Sequence, residues 1–99
     1  MASVQIRWSA EAIRDLEELH GYIAGNSPRY AALVAGRLVA AVDAVREYPE
    51  IGRMVPELGD PAVREVIHGT YRIIYEVRRD AIEVLTVFRA SRQFPRLDR

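Results

Sequence analysis

Ninety-nine residues, 49% of them hydrophobic, suffice for one packed domain but leave little chain for a large enzymatic cleft. Fourteen basic residues balance fourteen acidic ones, so the chain as a whole is no polycation, and its apolar content argues against a disordered segment. Cysteine is absent and every basic residue is arginine, which excludes disulfides, thiolate metal sites, cysteine nucleophiles and Schiff-base lysines.

Val4, Ile6 and Trp8 alternate with Gln5 and Arg7, the period of a strand with one buried face, and Ser9 follows as a helix cap. Between Ala10 and Ala24, Ile13, Leu16, His20 and Ile23 recur at three- and four-residue intervals and predict a first helix, ended by Gly25-Asn26. His20 on that face reads as a core or boundary histidine. Ser27-Pro28 is a second helix start, because proline at the first helical position loses only an amide that has no partner. Tyr30, Val34, Leu38, Ala41, Val42 and Val45 form that helix's apolar stripe, and the short connection makes an antiparallel helical hairpin.

Pro49, Gly52, Pro56, Gly59 and Pro61 make 48–62 a loop. Val63 to Ile67, Tyr71 to Arg78 and Ala81 to Phe88 then read as three strands, and the joins at His68-Gly69-Thr70 and Arg79-Asp80 are short enough to require antiparallel hairpins. His68 reads as a turn residue. The expected architecture is α+β, in the order β-α-α-β-β-β, with the helical hairpin on one face of a small, mainly antiparallel sheet. Alternation in the middle strand puts Tyr71, Ile73, Tyr75 and Val77 toward the helices, and Arg72 outward beside Arg64 or Arg89.

Charge is unevenly spread. Residues 1–50 carry five arginines against seven acids, and residues 51–99 carry nine against seven. The excess gathers in a basic C-terminal tail at 90–99 that adjoins Arg89, where Arg92, Arg96 and Arg99 face only Asp98; the tail is either loose or a single helical turn. Met1 to Trp8 lacks a signal-peptide core, and no apolar run approaches the ~20 residues that span a bilayer, so a cytoplasmic protein without membrane association is expected. With two distant histidines and no cysteine, neither a metal site nor a cofactor is expected.

Pro49-Glu50-Ile51-Gly52-Arg53, Pro56-Glu57, Arg64-Glu65 and Tyr71-Arg72-Ile73-Ile74-Tyr75, followed by the apolar strand Ile82 to Arg89, occur in an order that resembles the RelE/ParE toxins of type II toxin–antitoxin systems. The resemblance spans essentially the whole chain and implies the fold just read, growth arrest as the outcome of release, and roles in plasmid or chromosome maintenance. It also implies a cognate antitoxin that wraps exposed apolar surface in a hetero-oligomer. Leu19, Tyr22 and Tyr30 at the edges of the hairpin are its candidate contacts, each with ordinary core packing as the alternative.

Two activities divide that superfamily. RelE-like members cut mRNA on the ribosome, and ParE-like members inhibit DNA gyrase by binding it. For the first, the resemblance offers Glu57 as general base, with Arg64, Arg72 and Arg89 holding phosphate. Glu57 can equally be a loop carboxylate paired with Arg53 or Arg64, and Arg72 a structural partner of Glu65 or Glu76. The nuclease members' tail histidine or tyrosine acid has no counterpart in Phe88-Arg89-Ala90-Ser91-Arg92-Gln93-Phe94, a loss on the order of 10²- to 10⁴-fold in acid/base catalysis. Zero net charge also disfavours ribosome docking. The expectation is therefore a ParE-like toxin without catalytic residues of its own, in which Arg89, Arg92 and Phe94 contact gyrase. A ribosome-dependent nuclease and a non-toxic scaffold that keeps only antitoxin binding are the alternatives.

Overall fold

A computed structural model of the chain describes residues 4–97; Met1 to Ser3, and Asp98 and Arg99 of the expected basic tail, lie outside the described residues. Strand β1 (Gln5–Trp8) leads into helices α1 (Ala10–Ala24) and α2 (Pro28–Val45), and strands β2 (Arg53–Met54), β3 (Val63–His68), β4 (Tyr71–Val77) and β5 (Ala81–Arg89) follow. The sheet runs β1-β5-β4-β3-β2, with β1 parallel to β5 and the other neighbours antiparallel. Both helices pack on one face, an α+β arrangement with one strand more than the sequence pattern revealed. The extra strand is β2, inside the expected loop. Its two residues pair with Arg64 and Glu65 of β3, a ladder too short to leave an alternating pattern.

Caps fix the helices where the sequence placed them. The Ser9 hydroxyl accepts the Ala12 amide at 3.0 Å and donates to the Leu85 carbonyl at 3.0 Å, so the cap that starts α1 also ties it to β5. Ser27 accepts the Tyr30 amide, with Pro28 in the first turn of α2. The buried stripe of α1 differs from the expected one. Ala12, Leu16, Leu19 and Ile23 meet the core, whereas Ile13 and His20 are exposed, so His20 is a surface residue and not a core one. Small Ala12 and polar Asp15 hide this face from a reading based on large apolar side chains. On α2 the stripe is Ala31, Val34, Leu38, Val42 and Val45, and Tyr30 leaves it, 54% exposed.

The helix-side core joins these residues to Tyr71, Ile73, Val84 and Val87. A second core lies on the reverse face, where Val55 from the loop and Phe94 and Leu97 from the tail cover Val63, Ile74, Leu85 and Phe88. Within the described residues the tail makes one exposed turn at 90–93 and then packs Phe94 and Leu97 against the sheet. A β-bulge makes this possible. Ile74 pairs with Thr86 but Tyr75 pairs with Val84, which leaves Leu85 as an extra residue on β5. Val84 and Val87 consequently share the helix side while Leu85 and Phe88 share the reverse side.

Candidate functional site

On the reverse face, four charged side chains form an alternating chain. Arg53 Nε donates to Glu65 Oε2 at 2.5 Å, Arg72 Nε donates to Glu65 Oε1 at 2.6 Å, and both terminal nitrogens of Arg72 donate to the Glu57 carboxylate at 2.9 Å. Strand register brings the central pair together. Ile67 sits opposite Arg72, so Glu65, two residues before Ile67, is the diagonal same-face neighbour of Arg72. The Glu65 side chain is fully buried and Arg72 is 8% exposed, an arrangement that is tolerable because each charge is met by opposite charge and hydrogen bonds.

The planar guanidinium of Arg72 also lies 5.3 Å from the ring centroid of Phe88 and 5.2 Å from that of Phe94, and the two rings meet edge to face at 5.6 Å. Arginine suits this position because its plane accepts aromatic faces while its edge serves both carboxylates. The bonds from Arg72 hold the Glu57 carboxyl down at about 2 and raise Arg72 above its usual value. A base that weak takes up almost no protons at neutral pH, so Glu57 in this state is poorly suited to activating a hydroxyl.

The lowered Glu57 value has a pH signature. A carboxylate whose folded value lies below its ordinary 4.5 adds stability that is complete above 4.5 and disappears as pH falls through about 2. Urea midpoints of the wild type and Glu57→Gln are therefore expected to differ at pH 6 and to converge between pH 4.5 and pH 2. A gap unchanged across that range would mean that the ion pair contributes nothing in solution.

The other two arginines expected beside Glu57 lie on the opposite face. Arg64 pairs in register with Tyr75 and donates to the carbonyls of Gly52 at 3.0 Å and Glu50 at 3.3 Å. Arg89 pairs with Tyr71 and lies 5.6 Å over the Tyr22 ring on the helix side. Unbroken alternation from Ile82 would have set Arg89 beside Arg72; the extra residue at the bulge reverses it. Arg72 does point away from the helices, as alternation predicts, but loop and tail bury it. Of the alternatives for Glu57 and Arg72, the structure realises Glu65 as a partner of Arg72 and replaces Arg53 or Arg64 by Arg72 as the partner of Glu57. The Tyr75 hydroxyl, pushed above its usual range by burial, is engaged elsewhere: it donates to the Pro49 carbonyl at 2.8 Å and accepts the Gly52 amide at 2.9 Å.

On the helix side, a groove of about 500 Å³ runs between α1 and the end of β5. Leu19 and Tyr22 line one wall, Arg89 and Arg92 another, so two contact groups derived separately from the sequence share one surface. Leu19 is partly buried there against the core, whereas Tyr22 is 72% exposed. Tyr30, on α2, and Phe94, on the reverse face, do not line it. Sequence reasoning missed Asp15, which accepts from Thr86 Oγ1 at 2.6 Å and from the Val87 amide at 3.1 Å, anchoring α1 to the bulge. Its one signal is an acid placed three residues after Ala12 and four before Leu19, on the buried side of α1.

Comparison with known proteins matches this architecture. The model of the family described as ParE toxin of type II toxin-antitoxin system, parDE, matches residues 6–94. The chain belongs to the ParE toxin family. This ParE-family chain is 38% identical over 99 residues to Y4kP of Sinorhizobium fredii, which bears a toxin name, covering 98% of this chain and 99% of that protein. It is 35% identical over 89 residues to Toxin RelE2 of Caulobacter vibrioides, covering 89% and 97%. Among solved structures, a chain of the chromosomal ParDE system of P. aeruginosa shares the fold with a TM-score of 0.71 at 20% identity, covering 87% of this chain and 95% of that one. A chain of the RelBE2 toxin–antitoxin complex of Mycobacterium tuberculosis does so with a TM-score of 0.61 at 24% identity, covering 89% and 99%. Among the described residues of this ParE-family chain, no helix is long and apolar enough to cross a membrane.

Proposed function

We propose that this chain is a cytoplasmic toxin that arrests growth by binding DNA gyrase rather than by cleaving RNA, and that a cognate antitoxin neutralises it. The observation that carries the reading is the closed Glu57–Arg72 fork beneath Phe94: the one carboxylate offered as base is held near 2, and its arginine is already engaged by two carboxylates, Glu57 and Glu65. Separation of Arg64 and Arg89 from Arg72 across the sheet supports it, since phosphate stabilisation needs cations converging on one point. The absence of histidine and tyrosine from Arg89 to Leu97 supports it further.

In this reading Arg89 and Arg92 meet an acidic surface of gyrase. An amphipathic antitoxin segment, with apolar residues toward Leu19 and Tyr22 and carboxylates toward the arginines, fills the same groove and covers them. Tyr30 extends the antitoxin surface onto α2. In a supercoiling assay, purified toxin is expected to inhibit gyrase, and Arg89→Glu to raise the half-inhibiting concentration by about tenfold or more. Unimpaired gyrase at excess toxin, with no accumulation of cleaved DNA, would sink the reading. The second reading, a ribosome-dependent nuclease, is favoured by the identity to Toxin RelE2; primer extension on translated mRNA would then reveal cuts that Glu57→Ala abolishes.

A further inference from the structure

The chain turns sharply between Arg89 and Phe94. The Ala90 amide donates to the Thr70 carbonyl at 2.7 Å and the Arg92 amide to the Arg89 carbonyl at 2.9 Å, a tight turn that carries the chain from the helix side to the reverse face. Residues 90–93 are exposed, and the next buried contact is Phe94 against Phe88 and Arg72. Pro95 restricts Phe94 to extended backbone, so its ring can be delivered to the sheet with little further ordering.

We infer that Arg72 and Phe94 form a latch that fixes the tail and so positions Arg92 for the target beside Arg89, which β5 already holds. Arg72 is thus a positioning residue and binds no phosphate. Glu57 and Glu65 hold the guanidinium from two sides, while its Cζ stands over the rings of both Phe88 and Phe94. Phe94 is the first tail side chain to return to the sheet, where it packs with Leu97; without it the exposed segment 90–93 is tied on its N-terminal side only by the Ala90–Thr70 bond and the Arg89–Arg92 turn, and Arg92 samples more positions before it can bind. The functional half of this inference rests on the tail arginines being the target surface; the structural half does not.

The test uses the full chain with Phe94→Ala, Phe94→Trp and Arg72→Lys, each checked for an intact fold by thermal melting. Heteronuclear ¹⁵N relaxation of residues 90–97 reports tail order, and gyrase supercoiling reports function. Phe94→Ala is expected to lower the relaxation values of the tail to those of a flexible segment and to raise the half-inhibiting concentration about tenfold. Phe94→Trp, which keeps an aromatic face, is expected to stay within about threefold of wild type. Arg72→Lys keeps the charge and loses the plane, and is expected to loosen the tail; should it fail to fold, the two Phe94 variants decide. An ordered tail in Phe94→Ala, or a loosened tail with full inhibition, overturns the latch. Failure of the wild type itself to inhibit gyrase removes the gyrase reading instead, and the latch is then judged on tail order alone.

Discussion

Arg72→Ala is expected to lower folding stability by about 3–5 kcal/mol, the scale on which removing one partner from a buried ion pair acts. The reason lies less in what Arg72 gains than in what it leaves behind. Glu65 is fully buried in β3, and its Oε1 would face the vacated space with only the half-exposed Arg53 on its other oxygen. Glu57 would lose both hydrogen bonds but, being exposed, would turn to water at small cost. Phe88 and Phe94 would lose the cation that stands over both rings. Urea denaturation checks the figure, and Glu57→Gln serves as the comparison expected to cost far less. A loss below about 1 kcal/mol for Arg72→Ala would mean that water enters and solvates Glu65, so that the network is not a buried one.

The double variant Glu65→Met with Arg72→Met separates the two halves of that argument. Apolar side chains of similar volume can replace a buried ion pair with little loss or even a gain. Most of the stability lost in Arg72→Ala should therefore return, because no buried charge is stranded. Tail order should not return with it, because a thioether offers Phe94 no planar cation. Stability and latching would then be distinct properties of the same position.

Much of the fold was legible because it is written in local signals. The caps at Ser9 and Ser27-Pro28 and the three-strand run from Val63 to Phe88 each depend on residues close in sequence. What escaped depends on register between distant segments. The bulge at Leu85 leaves no mark in a strand that is apolar on both faces, yet it alone decides that Arg89 joins Tyr22 and that Phe88 joins Arg72. The two residues of β2 form a strand only because β3 supplies a template. The docking of Phe94 has no periodicity at all; an aromatic residue before proline in a basic tail reads equally as an exposed contact. The resemblance pairs Glu57 and Arg72 as base and phosphate ligand. They are indeed together, but each occupies the other, which changes the chemistry while preserving the pair.

Gly52→Ala is expected to cost about 3 kcal/mol, because a side chain at this position has nowhere to go. A Cβ there would stand 2.5 Å from the Glu65 carbonyl oxygen and 2.5 Å from the Tyr75 hydroxyl, both far inside van der Waals contact. Neither neighbour can retreat. Glu65 is held in β3 between β2 and β4, and Tyr75 is buried with its hydroxyl bonded to Pro49 and to the Gly52 amide itself. The loop must therefore move outward, straining the packing and breaking the Gly52–Tyr75 bond in a buried place, two contributions of about 1–3 kcal/mol each. Because Arg53 is the next residue, the shift also unpairs β2 and weakens the Arg53 end of the charge chain. Gly36→Ala provides the contrast: it lies in open space within α2, where removing a helical glycine is expected to stabilise by up to about 1 kcal/mol. Thermal or urea unfolding of the two variants side by side measures both signs, and a neutral Gly52→Ala would mean that the loop is not seated on the sheet in solution.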